Sequence, residues 1–313
     1  MERLDSGAPM PAHLRGNIMA LGNFDGFHRG HQAVIGHAVA RARAEGRPAI
    51  VGTFDPHPMH LFRPDAPPFG LTTLDQRARL FAAAGADAML VFSFTPELAA
   101  MSAPEFARFL VENRGATGVV TGQDFTFGKG RSGNVYSLAD LGAELGMVAE
   151  TVPPITDAAG EIISSSRIRN ALKAGDCATA TRLLTRPFAI EGEVRHGDKL
   201  GRSIGFPTAN LDLNAYVRPA YGIYAVRGLL PDGRMLDGAA NLGIRPSFDP
   251  PKELLEPHFF DFAEDLYGQR IEVQLIAYLR PEAKYETLDA LTAQIARDCE
   301  AARQILAATP RLA

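Results

Sequence analysis

The sequence predicts two folds in tandem: an α/β domain with a parallel sheet, then a small antiparallel β-barrel with a closing helix. Three observations lead there. Up to Leu184, short apolar runs alternate with helical patterns, as in βαβ units with right-handed crossovers. From Phe188 onward the texture changes to short strands punctuated by Gly and Pro. Near the end, Leu288, Leu291, Ile295, Ala302 and Ile305 recur at helical spacing. At 313 residues the chain is long enough for two domains.

The predicted elements follow in order. A strand at 18–21 leads to an alanine-rich helix at 31–43 and a strand at 49–54. A helix at 74–84 precedes a strand at 88–92, and one at 103–112 precedes a strand at 118–121. A helix at 138–146 and a strand at 147–152 complete the series, followed by helices at 166–174 and 177–184. The second half should hold strands at 189–194, 222–227, 234–241, 256–262 and 270–279, then a helix at 287–307. Thr185-Arg186-Pro187 marks the boundary, giving domains of residues 1–185 and 186–313. In a parallel sheet, ligands sit at the carboxyl ends of strands, so the loops there are the places to search.

Composition narrows the function classes. A net charge of -4 leaves no global basic field, which argues against nucleic acid as a partner. Cys177 and Cys299 are far apart and form no CxxC, so two reduced thiols are expected. Met1 to Gly16 has no apolar signal core, and no apolar run reaches about 18 residues. No membrane partner and a cytoplasmic location are therefore expected. A homo-oligomer is compatible with the sequence.

Residues 22–31 read Gly-Asn-Phe-Asp-Gly-Phe-His-Arg-Gly-His. They leave the first predicted strand and enter a helix. His28 and His31 are three apart, so both rings can point at one small volume. The N–H groups of the helix start favour an anion, and Gly30 lets a bulky group approach. Together they describe a phosphate site with two imidazole donors. No third ligand at suitable spacing supports zinc. Residues 163–169 place Ser164, Ser165 and Ser166 before a helix, with Arg167 and Arg169 behind. Serine hydroxyls and free N–H groups make an anion cradle, and a guanidinium can clamp two phosphate oxygens. Gly128 to Gly133 matches GxGxxG by letters, but two phenylalanines separate it from the preceding strand. Lys129 is followed by Gly130, which is not a P-loop.

The 22–31 run resembles the HxGH motif of the nucleotidyltransferase superfamily, whose fold is Rossmann-like, and its first five residues resemble the flavin adenylyltransferase branch. The serine–arginine run resembles the second phosphate motif of that superfamily. Gly122 to Gly133 resembles the GxDFxFGxxxxG segment, which implies an active-site Asp124. Phe54-Asp-Pro-His-Pro58 resembles a pocket-lining segment of the same enzymes. The resemblance implies ATP contacts by Gly22, Phe24, Asp25, His28, His31, Asp124, Ser164, Ser165, Ser166 and Arg169, with His28 and His31 catalytic.

Residues 196–211 are the most specific stretch. Gly197, Gly201 and Gly205 make a pliable loop beside Lys199 and Arg202, apt to fold over phosphates. Thr208 and Asn210 are two apart, so in an extended segment they face the same way. Their oxygens are hard ligands suited to Mg²⁺ held jointly with phosphates. The stretch resembles the riboflavin kinase signature, with further likeness at Gly238 to Phe248 and Leu255 to Phe262. That family implies Mg²⁺ on Thr208 and Asn210, nucleotide contacts by Gly197, Lys199, Gly201 and Gly205, and Glu256 as general base. Pro257 departs from the motif and suggests an edge strand or a bulge.

The two resemblances together imply a bifunctional riboflavin kinase and FMN adenylyltransferase. The second half would convert riboflavin and ATP to FMN, and the first would convert FMN and ATP to FAD and pyrophosphate. Adenylyltransfer to another phosphate acceptor, or flavin storage without turnover, are the rival readings.

Overall fold

The computed structural model describes residues 1–196, 205–245 and 252–311. The chain divides into two compact units, Met1–Pro67 with Leu74–Ser164, and Pro68–Thr73 with Ser165–Ala313.

The first unit is the expected α/β layer structure. Its elements are β1 (Glu2–Asp5), β2 (Asn17–Leu21), α1 (Arg29–Glu45), β3 (Ala49–Asp55), α2 (Pro58–Phe62), α3 (Leu74–Ala83) and β4 (Ala88–Ser93). They continue with α4 (Pro96–Ala100), α5 (Ala103–Arg108), β5 (Ala116–Gly122), β6 (Thr126–Phe127), β7 (Gly133–Asn134), α6 (Val135–Glu144) and β8 (Val148–Val152). Six parallel strands run in the order β1-β4-β3-β2-β5-β8. β2 is buried along its whole length, as its unbroken apolar run requires when both faces are covered. α1 lays Val34, Ile35, Ala38, Val39 and Ala42 on the sheet. α6 begins three residues before the predicted start, because Asn134 and Ser137 form a capping box. The predicted helix at 103–112 is α5 followed by a π-turn at Phe109–Asn113. The GxGxxG letters fall on the β6–β7 hairpin rather than a dinucleotide turn.

The second unit begins with α7 (Ser165–Lys173) and α8 (Cys177–Leu184). The barrel strands are β9 (Phe188–Glu193), β10 (Leu211–Asp212), β11 (Gly222–Leu229), β12 (Met235–Arg245), β13 (Lys252–Phe259) and β14 (Arg270–Arg280), and α9 (Leu288–Ala308) closes the fold. All neighbours are antiparallel, in the order β10-β13-β12-β11-β14-β9. A bridge joins the two ends of this order: Arg195 N–H donates to the Asn210 carbonyl at 2.9 Å, nearly completing the barrel. Tyr224, Val226, Leu242 and Leu255 are fully buried. α9 packs Ala302 and Leu306 against Ala225 and Ala239, which are opposed on β11 and β12.

The compact units divide at Ser164, before α7, whereas the change of sequence texture comes after α8. The α7–α8 pair buries Ile168, Leu172, Ala180, Leu183 and Leu184, and α8 lies against β9 and β14. β13 is not an edge strand, since β10 and β12 flank it. Pro257 is tolerated there because its carbonyl, and hence its nitrogen, faces residue 209 rather than β12. No β12 ladder bond is lost, and β10 has not yet begun at that level. Among the described residues, no helix is long and apolar enough to cross a membrane.

Candidate active sites

In the first sheet, β2 is the centre from which the strand order runs both ways, so its boundary with β5 is a switch point. Such a boundary opens a crevice at the carboxyl ends of the strands. The loop at 22–28 leaves β2, and the loop holding Asp124 leaves β5, so the two runs flank that crevice. Asp124 is exposed there.

The loop after β2 is tightly built. Phe24 and Phe27 have φ of 49° and 44°, around Gly26 at 86°. Left-handed backbone at a bulky residue costs about 1–3 kcal/mol and persists only where packing enforces it. Here both rings are buried against Phe81, at centroid distances of 6.1 Å and 5.5 Å. A Cβ on Gly22 would stand 3.1 Å from the Phe24 ring.

His28 is the N-cap of α1 and is only 5% exposed. Its Nδ1 accepts from Gly30 N–H at 3.2 Å and His31 N–H at 3.4 Å. This corrects the expectation that the backbone N–H groups at the helix start are free for an anion, since His28 engages two of them. An accepting Nδ1 places the proton of the neutral ring on Nε2, making that nitrogen the donor. The His31 ring stacks on His28 at 3.6 Å and 22°, and meets Phe24 edge-on at 5.4 Å. Gly30 is needed for the ring to fold back, because a Cβ would lie 3.1 Å from His28 Cε1. The same Cβ would be 3.6 Å from the Ile163 carbonyl, so the serine run starts beside this loop. Ser164 closes the first unit, while Ser165, Ser166 and Arg169 belong to α7 in the second. Arg169 Nε donates to the Phe69 carbonyl at 2.7 Å, and its guanidinium lies over the Phe69 ring. In the FDPHP run, His57 caps α2, with Nδ1 accepting from Met59 N–H at 3.1 Å.

The sequence reading missed Arg77. It is 6% exposed, and its Nη2 donates to Asp25 Oδ1 at 3.3 Å. Its Nη1 reaches Thr53 Oγ1 at 3.4 Å, and that hydroxyl donates to the Asn23 carbonyl at 2.8 Å. The available signal was a charge on the buried stripe of α3, one turn before Phe81.

In the second unit, Ala209 N–H donates to the Pro257 carbonyl at 2.9 Å, extending the Leu211–Leu255 pairing of β10 with β13. Asn210 is thereby opposite Glu256, and Thr208 opposite His258. Cross-strand partners share a face. Asn241 is opposite Glu256 on the other side, in β12, and its Nδ2 donates to Glu256 Oε2 at 3.4 Å. Asn210, Glu256 and Asn241 form one row, with Thr208 beside it on the same face. His258 Nδ1 bonds the Pro207 carbonyl at 2.8 Å, fixing the strand that carries Thr208. Gly205 turns at φ 87° just before it. Gly197, Lys199, Gly201 and Arg202 lie outside the described residues, as does the 246–248 part of the second similar run.

Two other features are separate from these sites. A cavity of about 270 Å³ in the second unit is lined by Thr72, Glu191, Asp212, Tyr216 and Arg270, among others, but by none of the predicted site residues. Among its charges, Arg270 pairs with Glu191, and Arg195 with Asp212 at 2.9 Å. Cys177 is buried, which pushes its thiol up to about 12. Such a thiol is inert.

Comparison with known proteins gives these sites a context. A family model described as FAD synthetase matches residues 10–167, and one described as riboflavin kinase matches residues 184–306. The bifunctional riboflavin kinase/FMN adenylyltransferase of Escherichia coli (strain K12) is 40% identical over 95% of both chains. The Bacillus subtilis (strain 168) protein of that description is 38% identical over 90% of each. A solved Streptococcus pneumoniae structure, described as a macrolide-efflux protein, matches with TM-score 0.86 at 29% identity, covering 97% of this chain and 99% of that one. With both family models in order and relatives aligned over nearly the whole length, the chain belongs to the bifunctional riboflavin kinase/FMN adenylyltransferase family.

Proposed function

We propose that the chain makes FMN from riboflavin and ATP in its second unit, and FAD from FMN and a second ATP with the histidine loop of its first. The observation that carries this is the Asn210–Glu256–Asn241 row beside Thr208, inside the stretch matched by the riboflavin kinase model. No adenylyltransferase acting alone has use for it.

In the kinase reaction, Glu256 takes the proton of the riboflavin 5′-hydroxyl as that oxygen attacks the γ-phosphorus of ATP, and ADP leaves. A carboxylate on a rigid strand, held by a neighbouring amide, suits a base that must reach one hydroxyl. Thr208 and Asn210 would hold Mg²⁺. Their neutral oxygens on one face fit an ion that arrives with a nucleotide, since carbonyl and hydroxyl groups supply ligands but little charge. Bound there, Mg²⁺ would neutralise charge on the phosphates. Gly197, Lys199, Gly201 and Gly205 would fold over the nucleotide.

In the adenylyltransfer reaction, an FMN phosphate oxygen attacks the α-phosphorus of ATP, and pyrophosphate leaves without an enzyme-bound intermediate. Nε2–H of His28 and the ring of His31 stabilise charge on the phosphates. Gly22, Phe24, Asp25 and Asp124 shape the nucleotide site, while Ser164, Ser165, Ser166 and Arg169 serve the polyphosphate. Small molecules are the partners in this reading, and the cytoplasm is the setting.

The test is to incubate the protein with riboflavin, ATP and Mg²⁺ and resolve the flavins by chromatography. FMN followed by FAD is expected. FAD from supplied FMN without any FMN from riboflavin would reduce the chain to an adenylyltransferase, and tight flavin binding with no turnover would make it a storage protein. Glu256→Gln should stop FMN formation and spare FAD formation from supplied FMN.

A further inference from the structure

Asn241 lies inside the Gly238 to Phe248 run, where the resemblance gives it no role of its own, yet its position is specific. It stands directly opposite Glu256 on the neighbouring strand, with Nδ2 donating to Oε2 at 3.4 Å. Reversing the amide would set two acceptors against each other, so the carboxylate dictates its orientation. The other amide atom, Oδ1, is buried and has no hydrogen-bond partner among the described residues. A buried acceptor left over is unfavourable. The backbone around it cannot drift. Ala240 and Leu242 are buried on either side, and the ladder with β13 is continuous from Gly238 to Arg245. Two residues along the same face, Ala239 lies in the cluster that holds α9. The donor is thus mounted on a strand held by a continuous ladder and, two residues along, by α9.

We propose that Asn241 is a positioning residue for phosphoryl transfer, holding the Glu256 carboxylate in the plane from which it meets the substrate hydroxyl. This rests on Glu256 being the base. Asn241 acts through Glu256 and touches neither substrate nor nucleotide. Its loss should therefore lower kcat for FMN formation roughly ten- to hundredfold, the scale of a misplaced catalytic group. KM for riboflavin and for ATP should stay within about threefold. Asn241→Asp keeps the shape but replaces the donor with a like charge, so it should be worse than Asn241→Ala.

The experiment measures kcat and KM for FMN formation by the full chain in Asn241→Ala, Asn241→Ser, Asn241→Asp, Glu256→Gln and the double variant Asn241→Ala/Glu256→Gln. A residue acting through Glu256 adds nothing once Glu256 is gone, so the double variant should match Glu256→Gln. Additive losses in the double variant would overturn the proposal. So would an unchanged kcat in the single variants, or a failure of both Asn241→Ala and Asn241→Ser to bind riboflavin, which would make the role structural. If Glu256→Gln itself retains kcat, the assignment of the base fails instead, and the two failures are told apart by that single variant.

Discussion

Replacing His28 separates the cap it forms from the catalytic role proposed for it. Its Nδ1 caps α1 by accepting from the N–H groups of Gly30 and His31 at 3.2 Å and 3.4 Å, the second and third positions of the helix. In the proposed adenylyltransfer, its Nε2 would carry the proton offered to the phosphates. His28→Ala removes both functions. Losing a side-chain cap costs about 1 kcal/mol of stability. Losing one preorganised donor costs about 10²–10³ in rate, or about 2.7–4 kcal/mol of barrier. His28→Asn restores an acceptor at the cap, where asparagine is among the best residues, but leaves no ring to reach the phosphate. The Asn variant should thus unfold near the wild-type urea midpoint while the Ala variant unfolds earlier. Both should make FAD from supplied FMN 10²–10³ more slowly. Both should phosphorylate riboflavin at the wild-type rate. FAD synthesis near normal in His28→Asn would refute the donor role. Equal destabilisation of both variants would refute the capping role.

Other perturbations test the frame around the sites. Arg227 is 3% exposed, and it donates to the carbonyls of Leu306, Thr309 and Pro310 at the end of α9, at 2.8, 2.6 and 3.0 Å. It also bonds Asp237 at 3.2 Å, but that carboxylate is one-third exposed and water can recover it. Arg227→Met should cost about 2–3 kcal/mol, read as a lower urea midpoint with earlier proteolysis of the C-terminal helix; an unchanged midpoint would contradict the clamp. Asp176 caps α8, and the Thr179 N–H bond holds its carboxyl below the ordinary value of 3.8. A depressed folded pKa stabilises above the unfolded value and stops doing so as pH falls through the folded one. Asp176→Ala should therefore cost about 1 kcal/mol at pH 7, and that difference should shrink below about pH 4, whereas a pH-independent difference would count against the cap.

Much of the first sheet was legible because its strands are buried on both faces and read as unbroken apolar runs, as β2 does. β1 was not. Its Glu-Arg-Leu-Asp residues are largely exposed, and only the long-range pairing with β4 makes them a strand. For α7 and α8, an amphipathic stripe shows that a helix packs but not against what. At the sites, letters marked His28, His31, Thr208, Asn210 and Glu256, whose side-chain chemistry is distinctive. They could not show that His28 turns back onto its own helix, which depends on Gly30 lacking a Cβ. Arg77 went unseen, and Asn241 stood without a role inside the Gly238 to Phe248 run, because each meets a partner on another element, Asp25 and Glu256.

The Asp25–Arg77 pair has an electrostatic consequence. A bare carboxylate in the wall of a triphosphate site would repel the substrate through a poorly screened medium. Asp25 is 2% exposed, and the Arg77 guanidinium, reaching it from α3 at 3.3 Å, offsets that charge. In the proposed nucleotide site, the pair would offer ATP no net charge from Asp25. Exchanging Arg77 for a neutral residue would turn a structural carboxylate into a repellent one.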